Sequence, residues 1–222
     1  MYPLSVPQIL LATGNADKQR MLAWLLEESP VRTVTPVQLG VRTDPDESGD
    51  THEAVARAKA EEWSRLAGMP AIASDGGLVV PVLGANWESR YTHRFAGPAA
   101  DDAERQRRLL RLLEPFSGDQ RKASFVEALA IACDGETVAS WQVSGATGRI
   151  VHSLADRVGK TDGDGFWVFP LWYFSEFGRT YDRLTQAERT TLGDHWHVLQ
   201  ARVREFIPGW LSGVSGPPNR LQ

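Results

Sequence analysis

The stretch Ile9-Leu10-Leu11-Ala12-Thr13-Gly14-Asn15-Ala16-Asp17-Lys18 constrains the fold of this chain more than any other. Residues 8–12 form a short apolar run, the length of a strand covered on both faces. Gly14 accommodates a sharp turn and Asn15 is a strong N-cap, so the strand breaks straight into a helix. The unpaired amides of that helix start point back over the strand end, where an anion is stabilised, and Lys18 adds a full positive charge. The pattern reads either as a phosphate cradle or as an ordinary strand-turn-helix with a solvated lysine. It is neither a P-loop nor a dinucleotide fingerprint, since both need more glycines at fixed offsets.

The rest of the chain extends this βα unit. A helix is expected over residues 16–28, with Met21, Leu22, Leu25 and Leu26 on one side and Pro30 ending it. A short strand over 31–35 precedes a polar loop over 36–50 that carries Glu47. Thr51 or Asp50 caps a helix to about Ala67, in which Ala56, Lys59, Ala60, Trp63 and Ala67 recur at spacings of three and four. Lys59 therefore lies on or beside a buried stripe, where it either snorkels to water or meets an anion. Residues 69–73 form the next buried strand, ending at Ser74-Asp75-Gly76-Gly77. An aspartate there is either part of a strand-end site or of an Asp-Gly hairpin turn.

Beyond a loop over 81–97, residues 101–113 form a surface helix whose charges suit solvation and the helix dipole. Residues 121–133 and 137–143 form an antiparallel hairpin around Asp134-Gly135. A glycine-rich stretch over 145–165 leads to Phe166-Trp167-Val168-Phe169-Pro170-Leu171-Trp172-Tyr173-Phe174, either a core strand or the wall of a base-stacking slot. Thr185-Gln186-Ala187-Glu188 is a capping box. Leu192, Trp196, Leu199, Val203 and Phe206 mark one face of the last helix. His195 and His197 are two apart and make a poor metal pair. Residues 1–207 are expected to form a single domain of two lobes, and 208–222 a flexible tail.

Composition removes several classes of function. A net charge of −4 and a pI near 5.8 argue against nucleic acid or an anionic membrane as partner. No window approaches the ~20 apolar residues of a membrane span, and no signal peptide is visible, so cytoplasm is the expectation. Cys133, the single cysteine, sits in an apolar run and reads as core filler.

Four motifs then fall in the order and spacing of one family: Ala12-Thr13-Gly14-Asn15-x-x-Lys18, Glu47-Ser48-Gly49-x-Thr51 with Lys59-Ala60, Pro70-Ala71-Ile72-Ala73-Ser74-Asp75-Gly76-Gly77-Leu78, and Arg94-Phe95-Ala96-Gly97. Arg121-Lys122-Ala123-Ser124-Phe125, Gly145 with Gly148-x-Ile150, Gly165-Phe166 and Pro170 continue the match. Over residues 8–205 the chain resembles the inosine triphosphate pyrophosphatase family, which removes unusual purine nucleotides such as inosine, deoxyinosine and xanthosine triphosphates. The resemblance implies an α/β fold, a long twisted mixed sheet flanked by helices, in two lobes with a central nucleotide cleft. It also implies a homodimer, Mg²⁺, and hydrolysis of a nucleoside triphosphate to monophosphate and pyrophosphate, an attack on an acid anhydride at the α-phosphorus.

Carried onto these residues, Thr13, Gly14, Asn15 and Lys18 supply the amide and ammonium cradle, Lys59 a second cation and Arg94 a further substrate contact. Glu47 and Asp75 are the hard oxygen ligands for Mg²⁺, with Asp75 orienting or deprotonating the attacking water and Gly76 lining the substrate site. Phe166, Trp167, Phe169, Arg189 and His195 occupy the base-reading end. Departures are concentrated there and beside Asp75. The family's two aspartates before Ser-Gly become Ser74-Asp75 followed by Gly76, and its Glu-Asn-Ala becomes Ala54-Val55-Ala56. A glutamate one turn beyond Lys18 becomes Met21, and Phe-Gly-Tyr-Asp becomes Phe166-Trp167-Val168-Phe169. The family's Ser-His-Arg aligns with Gly193-Asp194-His195, or shifted by one with Asp194-His195-Trp196. Because polar groups read the base edge, their loss changes discrimination strongly. Two alternatives follow: a catalytically weak nucleotide-binding or regulatory relative, or an enzyme retuned to another nucleobase in a biosynthetic pathway.

Overall fold

The computed structural model describes residues 6–153 and 166–214. Among the described residues, seven strands form one mixed sheet in the order β2-β1-β3-β4-β5-β6-β7. β1 (Gln8–Leu11) lies parallel to β2 (Arg32–Val34) and to β3 (Ala71–Val79). The remaining pairs, through β4 (Lys122–Cys133), β5 (Glu136–Ile150), β6 (Trp172–Phe174) and β7 (Arg179–Thr180), are antiparallel. Helices cover both faces, as the expected α/β architecture requires.

Residue size decides which helix lies where. On one face Ala71, Ala73, Ala128, Ala130 and Ala132 present a shallow surface, which α3 (His52–Ala67) covers with Ala56, Ala60 and Trp63. Thr51 caps α3, and Gly68 ends it in the left-handed conformation. On the other face the bulkier Ile72, Leu129 and Ile131 pack under α1 (Ala16–Leu25) and α6 (His195–Val214). Fully burying Leu22, Leu25 and Leu199 there contributes about 2 kcal/mol each. A third, aromatic cluster gathers Phe125, Trp167, Phe169, Trp172 and Tyr181 at the far end. No helix of the described residues is long and apolar enough to cross a membrane.

One asymmetry of the sheet makes room for a site. β1 pairs with β3 only at Ala71 and Ile72, whereas β3 pairs with β4 along its whole length. Past Ile72, no strand of the described residues pairs with β3 on its β1 side, and the turn into α1 opens beside that edge.

Several expectations need correction. Ser74-Asp75-Gly76-Gly77 is neither a strand end nor a hairpin turn: β3 runs through it, held residue by residue against β4. The polar loop over 36–50 begins with a short helix, α2 (Pro36–Leu39), closed by a Thr35 capping box and Gly40. α4 (Asp102–Leu112) is less a surface helix than its charges suggest, because Arg105 and Gln106 are buried and donate to the carbonyls of His93 and Trp167. The hairpin forms as expected, with Asp134 and Gly135 both at positive φ, but its second strand runs on to Ile150. Cys133 is only half-buried. Leu192 closes α5 (Gln186–Thr191), and Gly193 at positive φ separates it from α6, whose buried stripe is Trp196, Leu199, Val203 and Ile207. α6 continues through Pro208 to Val214 rather than fraying there, since Ile207, Trp210 and Leu211 keep packing on the α1 side. Gly165 and residues 215–222 lie outside the described residues.

Candidate active site

A cavity of about 630 Å³ opens beside the free edge of β3, within the range of small-molecule sites. Its near wall comes from the β1–α1 turn and its floor from β3 and β4. The far wall is aromatic, with Phe125, Phe166, Trp167 and Phe169. Thr13, Asn15, Lys18, Glu47, Lys59, Asp75, Gly76, Arg94 and Arg189 all border it, so both lysines and both carboxylates picked out above face one space.

Lys59 is the meeting point. Its ammonium lies 2.6 Å from Glu47 and 3.0 Å from Asp75, so the lysine on the α3 stripe meets anions rather than snorkelling to water. Arg94 completes the group by pairing with the other oxygen of Glu47. Lys18 reaches across the open edge and donates to the Ser74 carbonyl at 3.4 Å.

Asp75 has a partner that sequence reasoning missed. His52 Nδ1 lies 2.6 Å from Asp75 Oδ2, and His52 Nε2 lies 3.0 Å from Ser89 Oγ. With Nδ1–H donating to the carboxylate, a neutral ring accepts from the serine hydroxyl. Burial raises the Asp75 carboxyl, but the His52 hydrogen bond and the Lys18 and Lys59 charges outweigh it and hold it below the usual range. A signal was present in the sequence: His52, Ala56 and Lys59 fall at helical spacing on one face of α3.

The cradle itself differs from expectation. Asn15 Oδ1 accepts from the amides of Asp17 and Lys18, and Thr13 Oγ1 accepts from the amide of Asn15. These donors are therefore satisfied by the cap, and Gly14 is not among the lining residues. The charge at this wall comes from the Lys18 ammonium more than from open amides.

At the aromatic end, His195 does not line the cavity. It is fully buried beneath Phe125, with ring centroids 5.2 Å apart, and burial pushes its imidazole down to about 4. Asp194 and Arg189 border the space instead; Arg189 stacks over Tyr181, 4.7 Å from the ring centroid. Asp194 accepts from the Tyr181 hydroxyl at 2.6 Å and lies 3.0 Å from His197 Nδ1. The core-strand reading of this segment holds only for β6 (Trp172–Phe174): Trp167 lies in a turn and Phe169 in a single helical turn (Phe169–Leu171), both buried in the core and both walling the cavity.

The donor set suits a hard divalent cation. Two carboxylates converge inside the cavity, and Mg²⁺ is commonly held by one or two carboxylates while keeping waters and taking phosphate oxygens. Among the described residues no three His, Cys, Asp or Glu side chains come together, so an all-protein metal cage is not what this site offers.

Sheet, open strand edge and cavity together define an α/β protein whose cavity has lysines and carboxylates at one end and aromatic rings at the other. The chain belongs to the Ham1 family, whose model matches residues 9–197. It is 35% identical over 202 residues to a dITP/XTP pyrophosphatase of Erwinia tasmaniensis, covering 88% of this chain and 92% of that protein. It is 33% identical over 203 residues to one of Pectobacterium atrosepticum, covering 87% and 94%. The fold superposes on a HAM1 protein from Coxiella burnetii with a TM-score of 0.73 at 27% identity, covering 90% of this chain and 99% of that one.

Proposed function

We propose that this chain hydrolyses a nucleoside triphosphate to the monophosphate and pyrophosphate, with Mg²⁺ held at Glu47 and Asp75. Membership of a family whose matched relatives are named pyrophosphatases makes it a hydrolase acting on acid anhydrides. The observation that carries the reading is the convergence of Glu47 and Asp75 on the Lys59 ammonium within a cavity whose far wall is aromatic.

The triphosphate lies along the Lys18 and Lys59 side and the base against Phe166, Trp167 and Phe169. Without nucleotide, Lys59 and Arg94 neutralise Glu47; with it, they have phosphate oxygens to meet, and both carboxylates become available. Bound there, Mg²⁺ neutralises developing phosphate charge and acidifies a bound water. Asp75, fixed by His52, orients the water toward the α-phosphorus, and Lys18 contributes binding. Arg189 and Asp194 offer the base edge a donor and an acceptor, taking over from the polar residues that this segment lacks relative to the resembled family.

A purine triphosphate such as deoxyinosine or xanthosine triphosphate is the first substrate to test, because the matched relatives carry those names. A retuned base preference is favoured by one observation: hydrophobic Trp167 and Phe169 stand where the resembled family carries a glycine and a carboxylate. By the same resemblance the enzyme works as a homodimer. Incubation with a panel of nucleoside triphosphates and Mg²⁺, reading pyrophosphate and orthophosphate separately, tests the reading. Pyrophosphate release from at least one nucleotide is expected. Orthophosphate alone, or no turnover with nucleotide binding retained, would overturn it.

A further inference from the structure

One charged side chain stands in the β4 run from Ala123 to Cys133, and it is Glu127. Side chains alternate across a sheet, so Phe125, Glu127, Leu129 and Ile131 share a face. Leu129 and Ile131 are covered by the α1 and α6 layer, and Phe125 belongs to the aromatic cluster. Glu127 lies between them, only 2% exposed, yet it borders the cavity. Its Oε1 has no hydrogen-bond partner among the described residues, nor does the Ser74 hydroxyl. A buried carboxylate costs too much to keep as filler, and replacement by an apolar side chain would be neutral or better.

The surroundings are shaped to this carboxylate. Glu127 pairs in register with Gly76, and a Cβ on residue 76 would overlap Glu127 Oε2. A side chain at residue 76 would compete with that carboxylate and with the Val126 carbonyl oxygen for the same space. Ser74, two residues earlier on the same face of β3, is the position at which the resembled family carries an extra aspartate. Ser74, Gly76 and Glu127 thus lie together on one face of the sheet, where a hydroxyl and a bare backbone position on β3 adjoin the single acid of β4.

The place is chemically specific. On one side of Glu127 is the Lys18 wall, and on the other are Phe125 and the aromatic slot. A nucleotide spanning the cavity puts its sugar and its α-phosphate between those walls. Asp75 points to the opposite face of β3, toward His52 and Lys59. The two carboxylates thus approach the open strand edge from opposite sides of the sheet.

We propose that Glu127 is a catalytic residue that accepts the proton of the attacking water; the proposal rests on the pyrophosphatase reading above. The water oxygen forms a bond to the α-phosphorus while the bond from that phosphorus to the bridging oxygen breaks. The electron pair leaves with pyrophosphate, the water proton passes to the Glu127 carboxylate, and from there it reaches solvent as products depart. Burial raises the Glu127 carboxyl to about 7, against the opposing pull of the Lys18 charge, which suits a base working near neutral pH.

The test is steady-state pyrophosphate release by the full chain with Mg²⁺ and its best nucleotide. Glu127→Gln keeps the size and shape of the side chain and should lower kcat about 100-fold or more with KM within about threefold. Glu127→Ala should be similarly slow, and adding Ser74→Asp to it should restore at least a tenth of the wild-type rate by supplying the carboxylate from β3. Wild-type kcat in Glu127→Gln overturns the proposal, and so does a raised KM with unchanged kcat, which would assign Glu127 to holding a sugar hydroxyl. A loss that Ser74→Asp does not restore assigns it a structural part and overturns the proposal too. No pyrophosphate from the wild-type protein overturns both this and the reading beneath it, whereas an active wild type separates the two.

Discussion

His52 and Asp75, which come from the first turn of α3 and the middle of β3, meet at 2.6 Å between Nδ1 and Oδ2. The contact fixes which way the Asp75 carboxylate faces and leaves its other oxygen to Lys59 at 3.0 Å. Groups that orient a metal ligand or catalytic carboxylate typically carry a tenfold to hundredfold effect. His52→Phe fills the same buried volume without the hydrogen bond. It should lower kcat by about tenfold to 100-fold while leaving KM nearly unchanged, and Ser89→Ala, one bond further out, should cost less. Pyrophosphate release by the three proteins checks the order.

Lys18 and Lys59 should fail in different ways. Lys18 makes one long contact to a carbonyl and stands free to meet phosphate, so Lys18→Ala should raise KM several-fold with a smaller effect on kcat. Lys59 separates two carboxylates, and its loss leaves Glu47 and Asp75 facing each other. Lys59→Met should lower the stability of the metal-free protein by about 2 kcal/mol, discounted for partial exposure. Mg²⁺ should recover more stability in this variant than in the wild type, because a cation then fills the gap. Denaturant unfolding with and without Mg²⁺ reads this directly.

Gly76 and Gly77 predict a contrast. A Cβ at Gly76 meets the Glu127 side chain most closely and the Val126 carbonyl oxygen next, whereas one at Gly77 meets the Ser89 backbone carbonyl most closely and the Thr92 hydroxyl next. Gly76→Ala should destabilise by about 1–3 kcal/mol, and part of that loss should return when Glu127→Ala is added. Gly77→Ala should cost at least as much and recover less from shortening its side-chain neighbour, because its closest contact is backbone. A double-mutant cycle at each position measures the coupling.

Stability should also carry two opposed pH dependences. Burial raises the Glu127 carboxyl from 4.5 to about 7, so the folded state holds that proton more tightly than the unfolded chain. This contribution is complete below about pH 4.5 and is lost as pH rises to about 7. Burial lowers the His195 imidazole from 6.5 to about 4, so its contribution is complete above about pH 6.5 and is lost on acidification toward 4. Each amounts to about 3 kcal/mol, and in the metal-free wild type they largely cancel. Glu127→Gln should therefore lose about 3 kcal/mol between pH 7 and 4.5, and His195→Phe should gain stability over the same interval. Unfolding at the two pH values distinguishes these outcomes from a flat profile in both variants.

Local chemistry made part of this molecule legible. The Asn15 and Thr51 caps, the Asp134-Gly135 turn and the Thr185 capping box each satisfy backbone groups from residues a few positions away, so sequence alone locates them. Lys59 was legible only in part, since a lysine on a buried stripe either snorkels to water or meets an anion, and the fold decides which. What escaped was set by distant contacts. Ser74 to Gly77 has the composition of a turn, but full pairing with β4 and close approach by Glu127 and the Ser89 backbone keep it extended. Pro208 reads as a helix end, yet the apolar side chains beyond it keep α6 on the body. His52 and Glu127 carried signals that needed the fold to interpret: an imidazole on the lysine's face of α3, and a lone acid in an apolar strand.

On the proposed reading Asp75, together with Glu47 and the two lysines, drives attack of water at the α-phosphorus. Comparing the wild type with Asp75→Asn, with pyrophosphate release under Mg²⁺ and nucleotide affinity read in the same preparations, tests this at its root. Pyrophosphate is expected from the wild type and none above background from Asp75→Asn, with the variant still folded and still binding nucleotide. Wild-type rates in Asp75→Asn would remove Asp75 from the reaction.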